Sequence, residues 1–272
     1  MRLLGLVVAL TLACGDASAQ EREPRIEHIR SQDGAEIAAH IFDPAPKPGP
    51  RAAIVLLHGG GWVAGDATWV YPRARRFAEL GMLAIALDYR LANQADVTPA
   101  HATADARATF RWLRENAERL NIDPTRLAAY GVSAGGQLSV TAAQSEDERA
   151  RPNLLVLLSP ALDVERDAWF IRLSGAATRA LSPLANVRPD MPAAFILQGD
   201  VDTLTPLTGA RAFCERMIAA ANRCEIRVYE GFGHLFTPAG IDDQGMPQPD
   251  PTTSRASAEE AEAYLRREGY IR

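Results

Sequence analysis

Short apolar runs punctuate this chain at Ala53–Leu57, Met82–Leu87, Leu127–Tyr130, Leu154–Leu158, Ala193–Leu197 and Glu225–Tyr229. They read as continuous apolar stretches, the pattern of strands buried on both faces. Between them apolar residues return at helical spacing: Phe110, Leu113, Ala117 and Leu120 within 102–120, then Ala212, Phe213, Met217 and Ile218 after Thr208. A last helical stretch covers 256–268. Strands alternating with helices predict an α/β fold, a mostly parallel sheet with helices on both faces. Ahead of it, Ile26–Ile29 and Ala35–Phe42 flank Ser31-Gln32-Asp33-Gly34, the signature of an antiparallel hairpin. Pro44, Pro46, Pro48 and Pro50 then make a stiff connector. Two stretches break the alternation, 159–192 and 237–254. Loops of that length in a compact domain usually serve function, and both leave strand ends where a site would lie.

The 272 residues, 47% of them hydrophobic, suffice for one domain with a sizeable core. The expected organisation is a leader at 1–19 and a single α/β domain at 20–272. Arg2, the apolar run Leu3–Ala13 and Ala17-Ser18-Ala19 follow the order of a signal peptide, so the expected location is secreted or periplasmic. A lipoprotein signal ending at Cys14 is the rival; Thr11-Leu12-Ala13 fits it poorly. Removal of the leader leaves Cys214 and Cys224, a candidate disulfide in an exported chain, with two buried thiols as the alternative. The net charge of -5 is unclustered, which gives no reason to expect nucleic acid or stable membrane association.

Chemistry enters at Gly131-Val132-Ser133-Ala134-Gly135. The pentapeptide stands between an apolar strand-like run and a helical stretch, the context of a nucleophilic serine on a tight turn. Such a serine needs an imidazole to take its proton and a carboxylate to orient that imidazole. Of the five histidines, His28, His40, His58 and His101 precede Ser133 and only His234 follows it. In hydrolases with this elbow the chain order is Ser, acid, His, which selects His234. The acid is expected in the turn after Ala193–Leu197; Asp202 is favoured there, in competition with Asp200 in the same turn and with Asp163 after the preceding strand. His58-Gly59-Gly60-Gly61-Trp62 supplies a glycine loop after a strand. Its amides at Gly60 and Gly61, with that of Ala134, form the expected oxyanion hole. His58 is expected to anchor this loop, and Trp62 to crowd the path of a long acyl chain.

These motifs, with Asp88-Tyr89-Arg90-Leu91 and Ile122-Asp123-Pro124-Thr125-Arg126, resemble the α/β-hydrolase esterases of the hormone-sensitive-lipase-like type. Within that group the chain is most similar to bacterial acetyl esterases and bifunctional acetylxylan and feruloyl esterases. The resemblance runs from about Ala53 to the end and implies a triad of Ser133, Asp202 and His234. It implies a serine carboxylesterase acting on short-acyl esters, with a small-molecule or carbohydrate ester as partner; no His pair stands at ligand spacing, so no cofactor or metal is expected. Asp242 and Asp243 read as a solvated loop. Two departures touch substrate choice: Gln198 where many relatives carry histidine, and Leu235-Phe236 where Gly-Phe is commoner. Other readings keep the machinery and change the bond (peptidase, formamidase, lactonase) or lose it (a binding protein). A dinucleotide-binding oxidoreductase would read Gly59 to Ala64 as a phosphate loop and Asp88 as its ribose acid, leaving Ser133, Asp202 and His234 unexplained.

Overall fold

The computed structural model describes residues 23–242 and 245–271, so the expected leader and Asp243 lie outside the described residues. Its strands are β1 (Arg25–Arg30), β2 (Glu36–Phe42), β3 (Arg51–Leu57), β4 (Leu83–Leu87), β5 (Ile122–Val132), β6 (Leu154–Leu158), β7 (Ala193–Gly199) and β8 (Cys224–Tyr229). They share one sheet in the order β1-β2-β4-β3-β5-β6-β7-β8. The hairpin of β1 and β2 joins β4 antiparallel; every other neighbouring pair is parallel.

The continuous apolar runs turn out to be two interleaved faces. Ala53, Val55 and Leu57 face one core with Leu83, Ile85 and Leu87, while Ile54 and Leu56 face the other with Ala84 and Ala86. Helices α2 (Pro99–Glu115), α4 (Ala134–Ala143) and α6 (Leu207–Ala219) bring Phe110, Leu138 and Phe213 to the first. Helices α1 (Tyr71–Glu79) and α7 (Pro251–Arg267) bring Phe77, Ala261 and Leu265 to the second. Each fully buried Leu, Ile, Val or Phe among these contributes roughly 1.5–3 kcal/mol relative to exposure.

Helix boundaries differ from the expected ones where proline starts a helix. α2 begins at Pro99, three residues earlier than expected, after Thr98, whose N–H is taken by His101 Nδ1 at 3.0 Å. Proline is favoured at a first helical position because its missing N–H has no partner there. The stretch then breaks at Asn116 and resumes as α3 (Ala117–Leu120). α7 likewise begins at Pro251, with the Asp250 side chain accepting from Thr253 N at 2.7 Å, which shortens the expected loop after Thr237. The excursion 159–192 carries α5 (Ala168–Ser174), capped by Asp167 through Trp169 N at 2.8 Å. Cys214 in α6 and Cys224 at the start of β8 are joined by a disulfide across a Cα–Cα distance of 5.3 Å.

What positions a site is the register. Leu57 lies opposite Gly131, Val132 opposite Leu158, Leu158 opposite Leu197 and Gly199 opposite Tyr229. The carboxyl ends of β3, β5, β6, β7 and β8 therefore share one edge. The direction of winding reverses between β3 and β5, and open α/β sheets hold their ligands in the crevice at that point.

Candidate active site

Ser133 closes β5 and precedes α4 with φ 53° and ψ −115°, a conformation that a non-glycine residue adopts only when its surroundings enforce it. Its N–H donates to Leu158 O at 2.9 Å, and its carbonyl accepts from Gly136 N at 2.9 Å and Ala161 N at 3.2 Å. A Cβ at Gly135 would stand 2.0 Å from Leu57 O, so only glycine lets α4 approach β3 this closely. The strain lifts the Ser133 hydroxyl over the sheet edge.

Ser133 Oγ lies 3.0 Å from His234 Nε2, and His234 Nδ1 lies 3.0 Å from Asp202 Oδ2 and 3.2 Å from Oδ1. Asp202 sits in the turn between β7 and α6. Its Oδ1 accepts from Leu204 N (3.0 Å) and Thr205 N (2.8 Å), its Oδ2 from Thr205 Oγ1 (2.8 Å) and Gln198 Nε2 (2.9 Å). Four donors beside the imidazole fix the carboxylate. The competing aspartates lie elsewhere: exposed Asp200 accepts from Gly231 N at 2.7 Å and braces the loop that carries His234, while Asp163 is exposed at the cleft. Sequence reasoning overlooked Gln198 and Thr205 as supports of Asp202. A donor three residues after an Asp is a readable turn signal; the reach of Gln198 from inside β7 is not.

The glycine loop follows β3. Gly60 has φ 112° and a Cβ there would meet Ala64 O at 2.1 Å; Val63 N and Ala64 N both donate to Gly60 O. Among the described residues the amides of Gly60, Gly61 and Ala134 donate to no protein acceptor, so they remain available to a ligand. Ala134 is the first residue of α4, whose positive end adds to that field. Beneath the loop, His58 Nδ1 donates to Gly59 O at 2.6 Å, and Tyr89 stacks on the imidazole at 4.2 Å while its hydroxyl donates to His58 O at 2.9 Å. Burial holds His58 below the usual histidine range and pushes Tyr89 up. Asp88 Oδ1 accepts from Ala67 N at 2.7 Å and so ties the end of β4 to the segment that follows the glycine loop.

Trp62 is 3% exposed: its Nε1 donates to Gln137 Oε1 at 3.0 Å and its ring packs 4.6 Å from Phe170. It lines the cavity beside Ser133, where it is expected to crowd an acyl path, with most of its ring buried. Trp169, which no local pattern singled out, also borders the cleft and donates from Nε1 to Gly61 O at 3.0 Å. Ser133, His234 and the glycine loop open on a cavity of about 1130 Å³. Among the described residues no three His, Cys, Asp or Glu side chains group to hold a metal, and no helix is long and apolar enough to cross a membrane.

A hydroxyl on a strained elbow, bonded to an imidazole that is bonded to a carboxylate, beside unengaged amides, is the equipment of acyl transfer. The fold and site together are those of a serine hydrolase of the esterase type. The chain belongs to the α/β-hydrolase family: a family model described as alpha/beta hydrolase fold matches residues 54–171. A solved structure of Thermogutta terrifontis esterase 2, phosphoramylated by tabun, is 30% identical, covers 91% of this chain and 96% of that one, and superposes with a TM-score of 0.78. The ethyl acetate hydrolase of Pseudomonas putida is 36% identical over 50% of this chain and 44% of its own length. Carboxylesterase NlhH of Mycobacterium tuberculosis is 37% identical over 48% of this chain and 41% of its own. The chain thus spans less than half the length of these two relatives.

Proposed function

We propose that this protein is an exported serine carboxylesterase that removes short acyl groups, acetyl foremost, from carbohydrate esters. The observation that carries the catalytic part is the hydrogen-bonded chain Ser133–His234–Asp202 beside three unengaged amides. In this reading Ser133 Oγ attacks the ester carbonyl while its proton passes to His234 Nε2. Asp202 keeps Nδ1 protonated and the ring oriented, and the amides of Gly60, Gly61 and Ala134 hold the oxyanion. Collapse expels the alcohol, which takes the proton from Nε2. Water then repeats the sequence on the acyl-serine, releasing the carboxylic acid and free Ser133.

Short acyl groups are supported by the similar Thermogutta esterase, solved with propionate and with butyrate bound, and by the relative named for ethyl acetate. The carbohydrate part rests on the resemblance of the His58–Trp62, Asp88–Leu91 and Gly131–Gly136 motifs to bacterial acetylxylan esterases. Export rests on the segment 1–19 and is in keeping with the disulfide, a bond that persists in oxidising compartments. The test is to label the protein with a fluorophosphonate and map the modified peptide, then assay ethyl acetate, acetylated xylo-oligosaccharides, a peptide amide, a formamide and a lactone. Label on Ser133 and turnover of the acetates support the reading. Label elsewhere, or turnover confined to amides or lactones, overturns it.

A further inference from the structure

Two tryptophans stand out in the cleft because they are solvated where most indoles are buried. Trp69 is 50% and Trp169 41% exposed, and both line the cavity that contains Ser133 and His234. They come from separate elements: Trp69 from the 3₁₀ turn Ala67–Val70 that follows the glycine loop, Trp169 from α5 in the excursion between β6 and β7. Large apolar surface left open in a concave site marks ligand contact. An indole offers a broad apolar face with a polar N–H at its edge, which suits a ring that is apolar on its face and polar at its rim. The cleft is also larger than an acetyl group needs. At about 1130 Å³ it lies just above the range for small-molecule pockets, roughly 300–1,000 Å³.

We propose that Trp69 and Trp169 form a stacking subsite for a pyranose ring in the alcohol part of the ester, and that Trp169 is also a positioning residue for the oxyanion loop. The inference rests on the carbohydrate reading above and names where that sugar sits. Stacking alone would suit an aryl group equally. The neighbouring polar groups favour the sugar: Asp163 and Arg166 line the same cavity, both exposed and with no hydrogen bond or ion pair among the described residues. They offer an acceptor and a donor to hydroxyl groups, which an aryl ring lacks.

The second role follows from the Nε1 bond of Trp169 to Gly61 O at 3.0 Å. That carbonyl belongs to the peptide joining Gly61 (φ 58°) to Trp62 (φ 65°), two successive left-handed residues. Phe170, next to Trp169, holds the Trp62 ring from the core side at 4.6 Å. α5 therefore grips the loop at backbone and at side chain, and an oxyanion hole acts through amides aimed in advance. Removing the indole N–H frees the Gly61 carbonyl and with it the aim of the neighbouring amides.

Steady-state kinetics on acetylated xylo-oligosaccharides, phenyl acetate and ethyl acetate separate these claims, with thermal unfolding to check that each variant folds. Trp69→Ala should raise KM for the sugar ester and lower its kcat/KM relative to ethyl acetate by about three- to tenfold, the strength of an aromatic contact. Trp169→Phe keeps a ring but loses the N–H. It should lower kcat on all three esters by up to about tenfold and leave the sugar KM near wild type. Trp169→Ala should show both effects. As a measurement independent of turnover, xylo-oligosaccharide should quench the tryptophan fluorescence of Ser133→Ala and should quench Ser133→Ala/Trp69→Ala less. If wild type cleaves ethyl acetate but no sugar ester, the carbohydrate reading fails and this subsite with it. If it deacetylates sugars and Trp69→Ala leaves the sugar-to-ethyl ratio unchanged, only the subsite fails. A loss confined to phenyl acetate marks an aryl site and overturns the sugar. An unchanged kcat in Trp169→Phe removes the positioning role.

Discussion

Asp200 and Asp202 are two residues apart and chemically identical, so what separates them is where their oxygens point. Asp202 Oδ2 is 3.0 Å from His234 Nδ1, whereas Asp200 spends Oδ1 on Gly231 N. Asp202→Asn presents an amide N–H or a weaker acceptor to Nδ1 and disfavours the productive tautomer, a change worth about 10⁴ in kcat in a serine protease. We expect a loss on the order of 10³ or more for Asp202→Asn and for Ser133→Ala, and less than about tenfold for Asp200→Asn. Equal losses in the two aspartate variants would show that Asp202 does not orient His234. His58 makes a different prediction, in stability. Its Nδ1–H is committed to Gly59 O, its Nε2 is buried without a partner among the described residues, and burial lowers its pKa. As pH falls through the unfolded histidine value near 6.5, the unfolded chain takes up a proton that the folded chain resists. Stability from this residue is therefore present above that pH and lost below it. The melting temperature should fall between pH 7 and 5, and His58→Gln, though less stable at pH 7, should show a shallower fall; parallel curves would assign the pH dependence to other groups.

Among the elements, β3, β4, β6 and β7 were the most legible because burial on both faces writes a continuous apolar run; β8, expected to be of the same kind, is an edge strand whose Glu225 and Arg227 are exposed, so its pattern alternates. The helices were legible only where their apolar stripe is broad. α1 buries just Ala74, Phe77 and Ala78 among three arginines, and Pro72 looks like a breaker although it occupies the first turn, where proline is tolerated. Pro99 and Pro251 misled the expected boundaries of α2 and α7 for the same reason. Of the site, the groups spelled in local motifs could be named from sequence: the elbow, the glycine loop and the loop with Gly233-His234. Trp169 could not, because its role is a contact across the fold, 108 residues from Gly61; Gln198 could not, because a glutamine near the end of a strand carries no local signal that its side chain turns into the following loop to reach Asp202. The disulfide is an element-scale device as well. It joins α6, which follows the Asp202 turn, to β8, which leads to the His234 loop, across a sequence separation of 10. In the chain-entropy account a loop of that size contributes about 2–3 kcal/mol. Thiol titration of the unfolded, unreduced chain lacking residues 1–19 should find no free cysteine, and denaturant unfolding should show Cys214→Ser/Cys224→Ser less stable by that free energy. Two titratable thiols in the unreduced chain would exclude the bond.

At the scale of the whole molecule, the sheet edge supplies the reacting groups and the insertions after β6 and β8 supply the walls of the cleft. Those walls decide acyl length. A long acyl chain gains affinity only along a path that is apolar and shielded from water. Here Arg73, Asp163, Arg166 and Asp167 interrupt the lining of the same cavity as Leu204 and Leu235. Leu235, next to His234, holds φ 50° and ψ 33°, a left-handed conformation that costs a bulky residue roughly 1–2 kcal/mol. Each methylene transferred from water into an apolar pocket gains about 0.8 kcal/mol, close to fourfold in kcat/KM. A closed acyl tunnel would therefore raise kcat/KM by about three orders of magnitude from C2 to C8. A methylene that lands beside a guanidinium or carboxylate gains little, and it displaces water those charges hold. We expect kcat/KM for p-nitrophenyl esters to be highest at acetyl or propionyl and to fall by octanoyl. Leu235→Gly, which removes both the left-handed strain and the side chain beside His234, should shift the maximum toward longer chains. A series that climbs steadily from acetyl to octanoyl in the wild type would replace the short-acyl esterase with a lipase.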